Sequence, residues 1–131
     1  MPHEDGWYLA IDLGTGGAKV AAVDGWGDVR ASAFASIETT LTPDGGATQD
    51  TDQWWRGIVE SARALARDAS TSTSTSTTTR PDRCLGVGIT GQWGSTVPVD
   101  GDGRALGPCL LWADDRGGRL SSELVGGAVR V

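Results

Sequence analysis

The sequence predicts an α/β fold: three antiparallel strands in a meander, a crossover helix, and a fourth, parallel strand in a mixed sheet. Three observations predict it. A continuous apolar run, Trp7 to Ile11, ends in Asp12 and a glycine-rich turn. Residues Val29 to Ile37 alternate with period two. Apolar residues then recur at helical spacing from Trp54 to Ala66, ahead of a further strand pattern at Cys84 to Thr90.

Trp7-Tyr8-Leu9-Ala10-Ile11 reads as a buried strand. After the turn Gly14-Thr15-Gly16-Gly17, Lys19 to Val23 is a second short strand, and Asp24 to Asp28 is another turn. In the third strand Val29, Ala31, Ala33, Ala35 and Ile37 share one face. Thr39 to Thr48 is a loop rich in Thr, Gly and Pro. Asp50 and Gln53 have the spacing of a capping box, which starts a helix over 51–68. Trp54, Trp55, Ile58, Val59, Ala62, Leu65 and Ala66 mark its apolar side, with both tryptophans expected to cover the sheet. The Ser/Thr repeat at 70–79 has no apolar residue and is expected to be a flexible surface loop. In the fourth strand Leu85, Val87 and Ile89 face one way, while Gly86 and Gly88 on the other face admit a close neighbour. A strand at Thr96–Val99, a turn at Asp100–Gly103, a last strand at Cys109–Trp112 and a helix beginning near Arg119 complete the chain. The 131 residues fit one small domain or part of a larger one.

Composition narrows the function. The 131 residues are 38% hydrophobic and carry a net charge of −6. That acidity argues against nucleic acid, whose phosphates call for clustered Lys and Arg. No apolar run approaches the ~20 residues of a membrane helix. The acidic start, Met1-Pro-His-Glu-Asp, lacks the features of a signal peptide, so a cytoplasmic protein is expected. Cys84 and Cys109 lie far apart in apolar stretches with no nearby His, and both are expected to be buried free thiols.

Three segments carry candidate chemistry. In Asp12-Leu13-Gly14-Thr15-Gly16-Gly17-Ala18-Lys19, a carboxylate closes a strand and glycines follow at once. Such glycines let backbone N–H groups converge on an anion. Thr15 adds a hydroxyl, Lys19 a cation, and Asp12 is placed to hold Mg²⁺ through water. The spacing is neither a Walker A loop nor a Rossmann fingerprint; a plain glycine hairpin with a solvated Asp would look the same. In Thr90-Gly91-Gln92-Trp93-Gly94-Ser95, an amide and an indole follow the end of a strand, where α/β sheets gather ligands; a turn around a core Trp is the alternative. In Leu111-Trp112-Ala113-Asp114-Asp115-Arg116, an aromatic surface adjoins carboxylates and an Arg, which suits a polyol or a simple Asp–Arg pair at a helix start.

In this order the three segments resemble the N-terminal domain of FGGY carbohydrate kinases, the group that includes xylulokinase, gluconate kinase and glycerol kinase. The resemblance rests on Asp12 to Lys19, on Gln49-Asp50-Thr51-Asp52-Gln53-Trp54-Trp55, on Gly88 to Gln92, and on Trp112 to Arg116. It runs from about Tyr8 to Leu124. It implies a partial actin-like, ribonuclease H-like ATPase domain, with ATP and Mg²⁺ as cofactors and a small-molecule sugar or polyol as substrate. It implies that Asp12, Gly14, Thr15, Gly16, Gly17 and Lys19 meet the nucleotide phosphates and metal. It also implies that Gln92, Trp93, Gly94, Trp112, Asp114 and Arg116 shape the sugar pocket. Relatives have Met-His-Gly or Arg-Glu-Thr after the Gln, whereas this chain has Trp93-Gly94-Ser95, so the resemblance implies a shifted sugar preference. The family's catalytic Asp is expected beyond Val131, so no catalytic residue is assigned within the chain. The resemblance implies that residues 1–131 are an incomplete N-terminal domain of an ATP-dependent kinase that transfers the γ-phosphoryl group to a sugar or polyol hydroxyl, inactive when alone; the alternative is a truncated non-catalytic remnant or an interaction module.

Overall fold

A computed structural model describes residues 6–71 and 80–125. In chain order the elements are β1 (Trp7–Gly14), β2 (Gly17–Asp24), β3 (Val29–Ser36), β4 (Thr40–Leu41), β5 (Ala47–Gln49), α1 (Thr51–Thr71), a 3₁₀ turn (Pro81–Arg83), β6 (Cys84–Gly91), β7 (Cys109–Leu110) and α2 (Gly118–Val125). They fall into two compact units. The described residues of 1–38 and 52–92 form one, and those of 39–51 and 93–131 the other.

The first unit is the expected mixed sheet, with strands in the order β3-β2-β1-β6. β1, β2 and β3 are antiparallel neighbours, and β6 lies parallel to β1. A parallel return needs a crossover connection, and α1 provides it. Alternation sends Leu9 and Ile11 of β1, Val20 of β2 and Ala31 and Ala33 of β3 to one face, where Ile58, Ala62 and Leu65 of α1 meet them. Ile11, Val20 and Leu65 are the buried centre. Truncating Leu65 to Ala would cost about 2–5 kcal/mol, because the cavity adds to the lost transfer energy. The Trp7 indole N–H donates to the Arg80 carbonyl at 2.8 Å, tying the start of β1 to the segment that enters β6.

Several expectations need correction here. Trp55 is 69% exposed and Trp54 half-buried. Adjacent helical positions lie about 100° apart, and Gly57, Ser61 and Leu65 occupy the buried stripe. Val29 is exposed, because the β2–β3 register shifts between Ala22 and Val23 and pairs Val29 with Val23. The shared covered face therefore begins at Ala31. Gln53 directs its side-chain oxygen to the Glu38 N–H at 3.2 Å, so it ties α1 to the end of the meander. Cys109 is buried, where burial raises its thiol pKa, but Cys84 is only half-buried. α1 extends through Thr71 and so includes the first two residues of the expected Ser/Thr loop; residues 72–79 lie outside the described residues.

The second unit holds two strands, β4 and β5, where the sequence pattern suggests only loop. β4, β5 and β7 form a three-stranded antiparallel sheet. The expected strand at Thr96–Val99 is reduced to two isolated bridges, Thr96 with Leu110 and Val99 with Ala105. The strand expected at Cys109–Trp112 is only two residues long.

One turn design recurs in the chain. At Asp24–Asp28, Thr42–Gly46 and Asp100–Arg104, the fourth residue is a glycine at φ +91°, +90° and +79° respectively. In each, that glycine's N–H donates to the carbonyl of the first residue, and the first residue's N–H donates to the carbonyl of the fifth. The Asp24 and Asp100 carboxylates each also accept the N–H groups two and four residues on, at 2.8–2.9 Å.

Candidate functional site

β1 turns its even-numbered residues away from α1, and Asp12 is the last of these to carry a side chain before the turn. Asp12 stands opposite Lys19 on β2 and Thr90 on β6, and Lys19 stands opposite Phe34 on β3. Phe34, Lys19, Asp12 and Thr90 thus form a row across the whole sheet on its open face. Both Asp12 and Lys19 are exposed to solvent. They line a broad hollow with small residues from each strand, including Ala10, Ala21, Ser32 and Gly88.

Gly14 pairs with Gly17 at the end of the ladder, so Thr15 and Gly16 alone form the tip of the β1–β2 hairpin. A Cβ on Gly16 would meet nothing within 4 Å, and one on Gly14 would meet only the Gly17 carbonyl at 3.6 Å. The tip is therefore open to an approaching ligand. Gly17 is enclosed. Its φ is +153°, and a Cβ there would lie 2.3 Å from the Ala35 carbonyl oxygen and 2.6 Å from the Phe34 ring. Gly17 belongs to the sheet, seated under β3, while Thr15 and Gly16 form the open part. An open glycine tip beside an exposed carboxylate and an exposed ammonium has the donor set that a magnesium-bound polyphosphate requires.

The strand pairing brings the second motif to this turn. β6 runs beside β1 and ends at Gly91. The Thr15 hydroxyl donates to the Gln92 side-chain carbonyl at 3.5 Å. Residues 77 apart in sequence thus meet at one end of the sheet.

Trp93, Gly94, Trp112, Asp114 and Arg116 all lie in the second unit. Trp93 is 89% exposed and Trp112 61%. Gly94 has φ +73°, and a Cβ on it would lie 3.4 Å from the Trp112 Cβ. Asp114 is well engaged. One carboxylate oxygen accepts from the Ala47 N–H at 2.9 Å and from Arg116 Nη2 at 2.6 Å. Both oxygens accept from Arg116 Nε, at 3.0 and 3.1 Å. The Arg116 guanidinium, helped by the Ala47 N–H, holds the Asp114 carboxyl down at about 2. The same pairing raises the Arg116 pKa, with Asp44 adding to it. Thr90 stands in the second motif without a role assigned to it, and Phe34 and the Ala47 backbone lie outside all three motifs. Thr90 is accessible from strand alternation. Ala47 has no signal in the sequence.

Among the described residues no group of three or more His, Cys, Asp or Glu could hold a metal ion, and no helix is long and apolar enough to cross a membrane.

Residues 7–125 match the model of the N-terminal domain of the FGGY family of carbohydrate kinases. The chain is 29% identical over 109 residues to the xylulose kinase of Escherichia coli, covering 83% of this chain and 20% of that protein. It is 34% identical over 123 residues to the xylulose kinase of Streptomyces rubiginosus, covering 90% of this chain and 23% of that protein. The crystal structure of a xylulose kinase from Brucella ovis superposes with a TM-score of 0.75 at 28% identity, covering 90% of this chain and 23% of the other. The chain thus spans about a fifth of the length of the curated relatives it matches.

Proposed function

Because the chain belongs to the FGGY family of carbohydrate kinases and has the partial actin-like, ribonuclease H-like fold of its members, we propose that it supplies the phosphate-facing and sugar-facing parts of an ATP-dependent kinase acting on a ketose or polyol hydroxyl. One observation carries this reading. The glycine tip at Thr15–Gly16 and the amide of Gln92 sit side by side at one end of the sheet, joined by a hydrogen bond. Phosphate-binding and hydroxyl-binding groups are adjacent, as phosphoryl transfer demands.

In this reading the Asp12 carboxylate holds hydrated Mg²⁺ through its water shell. The backbone at Gly14, Thr15, Gly16 and Gly17 receives phosphate oxygens, with Thr15 and Gly16 the most accessible, and Lys19 adds positive charge behind them. Gln92 orients a sugar hydroxyl. Within the second unit, Trp93, Gly94 and Trp112 offer an apolar wall to a sugar's carbon face, and Asp114 and Arg116 offer charge to its hydroxyls. Magnesium-bound ATP, when present, supplies the phosphoryl group and an electrophilic phosphorus. The work of these side chains is positioning and charge stabilisation. None of them is assigned as the base that takes the hydroxyl proton, because such a base must lie about 3 Å from that proton and no motif here provides one.

The test is sugar-dependent ADP release by a full-length kinase carrying these residues, across a panel of ketoses and polyols. Stimulation by at least one ketose or polyol is expected. ATP turnover indifferent to every sugar would overturn the reading.

A further inference from the structure

The Leu111–Asp114 segment is fastened at both ends to a single residue. The Leu111 N–H donates to the Ala47 carbonyl at 3.0 Å, and the Ala47 N–H donates to the Asp114 carboxylate at 2.9 Å. A third bond, from the Asp114 N–H to the Leu111 carbonyl at 2.9 Å, closes the segment on itself. Leu111 and Ala47 are buried, whereas Trp112 between the two fastenings is 61% exposed. The strand thus ends in a loop stapled to β5, with the indole carried on its outer side.

The staple is built for one geometry. Asp114 is shielded, its side chain 7% exposed, and Arg116 caps it with a two-nitrogen fork. A planar fork fixes the orientation of a carboxylate in a way a single point charge does not. Arg116 in turn lies over the β4–β5 turn, where a Cβ on Gly46 would come within 3.0 Å of its guanidinium carbon. Next to it, a Cβ on Gly45 would collide with the Asp115 carboxylate at 1.8 Å. Neither glycine leaves room for a side chain between the turn and the 114–116 segment.

We propose that Asp114 is a positioning residue for Trp112: locked by Arg116, it staples the loop to Ala47 and so sets where the indole meets the sugar. This rests on the sugar-wall reading of Trp112 given above, and it moves Asp114 and Arg116 from sugar contact to support. Asp114 has its oxygens committed to Ala47 and Arg116, so its effect on substrate passes through the indole.

The experiment is a double-mutant cycle in a full-length kinase carrying these residues, with Trp112→Ala, Asp114→Asn, their combination and Arg116→Lys. Asp114→Asn keeps an oxygen for the Ala47 N–H but loses the charged fork. It is expected to raise the sugar KM about tenfold, the scale of one lost charge-assisted hydrogen bond, while leaving the ATP KM within about twofold. Arg116→Lys, which keeps the charge, should fall between the Asp114→Asn variant and the parent in sugar KM. In the Trp112→Ala background Asp114→Asn should add nothing. Independent, multiplying effects would overturn the proposal, as would an equal rise in both KM values. A second readout is the ¹⁹F signal of 5-fluorotryptophan at position 112, assigned by its loss in Trp112→Phe. Asp114→Asn is expected to shift or broaden it, and an unmoved signal overturns the staple. If Trp112→Ala leaves the sugar KM unchanged while the ¹⁹F signal responds to Asp114→Asn, the sugar-wall reading fails and the staple stands as geometry without a substrate role, which overturns the proposal as stated.

Discussion

Asp12 and Lys19 stand directly opposite one another across the β1–β2 ladder, on the sheet face turned away from α1. Neither contributes to the buried core, so their chemistry can be tested apart from folding. In a full-length kinase carrying these residues, Asp12→Ala is expected to abolish sugar-dependent ATP turnover and to change the melting temperature little, since surface substitutions usually stay within about 0.5 kcal/mol. Steady-state turnover and a thermal melt of the same sample decide it; near-normal turnover would remove Asp12 from the metal site.

Two glycines of the same hairpin should respond oppositely to alanine. Gly17→Ala places a Cβ 2.3 Å from the Ala35 carbonyl at φ +153°, so a loss of about 2–4 kcal/mol is expected from strain and overpacking together. Gly16→Ala meets nothing within 4 Å and should change stability by less than about 1 kcal/mol. Chemical denaturation of the two variants checks the contrast. Any loss of nucleotide affinity in Gly16→Ala then reports on the tip itself.

The contrast also shows where sequence reading reaches and where it stops. β1, β2, β3, α1 and β6 are legible because each is eight or more residues long and carries either a continuous apolar run or a clear period. β4 and β5 are two and three residues long, too short for any period, and their sheet is completed by β7, which pairs with β5 from some 60 residues away. Trp55 is misplaced by pattern alone because helical spacing admits both members of an adjacent pair, and packing decides between them. The bulge that turns Val29 off its face is set by register with β2, which alternation alone does not encode. For the site, the glycine turn and the Trp-x-Asp-x-Arg segment are visible as local patterns. That Thr15 meets Gln92 follows only from β6 lying beside β1, and that Asp114 holds Ala47 follows only from the second sheet.

Stability at low pH should carry the mark of Asp114. Its folded pKa, about 2, lies below the ordinary carboxyl value of 3.8. A carboxyl with a depressed folded pKa stabilises the fold fully above its unfolded pKa and loses that contribution as pH falls through the folded one. The window is therefore from about pH 4 down to about pH 2. Denaturation midpoints across that range should fall less steeply in Asp114→Asn than in the parent. Parallel curves would show that the Arg116 pairing does not govern the acid limb.

Trp93 is almost fully exposed and Gly94 brings no side chain to the segment after Gln92. The expected consequence is a preference moved away from D-xylulose and from glycerol, toward a substrate presenting more carbon face to the indole. Relative kcat/KM across ketoses and polyols checks this. Efficient use of glycerol with every other sugar inert would contradict it.

Residues 1–131 expressed alone should show no sugar-dependent turnover and should unfold with weak cooperativity. On the face of the sheet that α1 only partly covers, Val87 is 58% and Ile89 72% exposed. Each such side chain forgoes about half or more of the roughly 1.5–3 kcal/mol that its full burial gives. Calorimetry, binding of a hydrophobic dye and an ADP-release assay on the isolated chain provide the check. A sharp calorimetric transition with no dye binding would count against the prediction.

The repeated hairpin turn has a consequence for chemical ageing. Asp24 and Asp100 are each followed by glycine, the pairing in which a backbone nitrogen most easily attacks the preceding carboxyl to form a succinimide and then isoaspartate. In both turns the carboxylate is held by N–H groups two and four residues on, which restrains the movement that ring closure on the neighbouring nitrogen requires. The folded turn is thus its own preservative. Damage at these two sites should accumulate in proportion to the time the hairpins spend open, so that isoaspartate counted at Asp24 and Asp100 by peptide mapping becomes a clock for local unfolding.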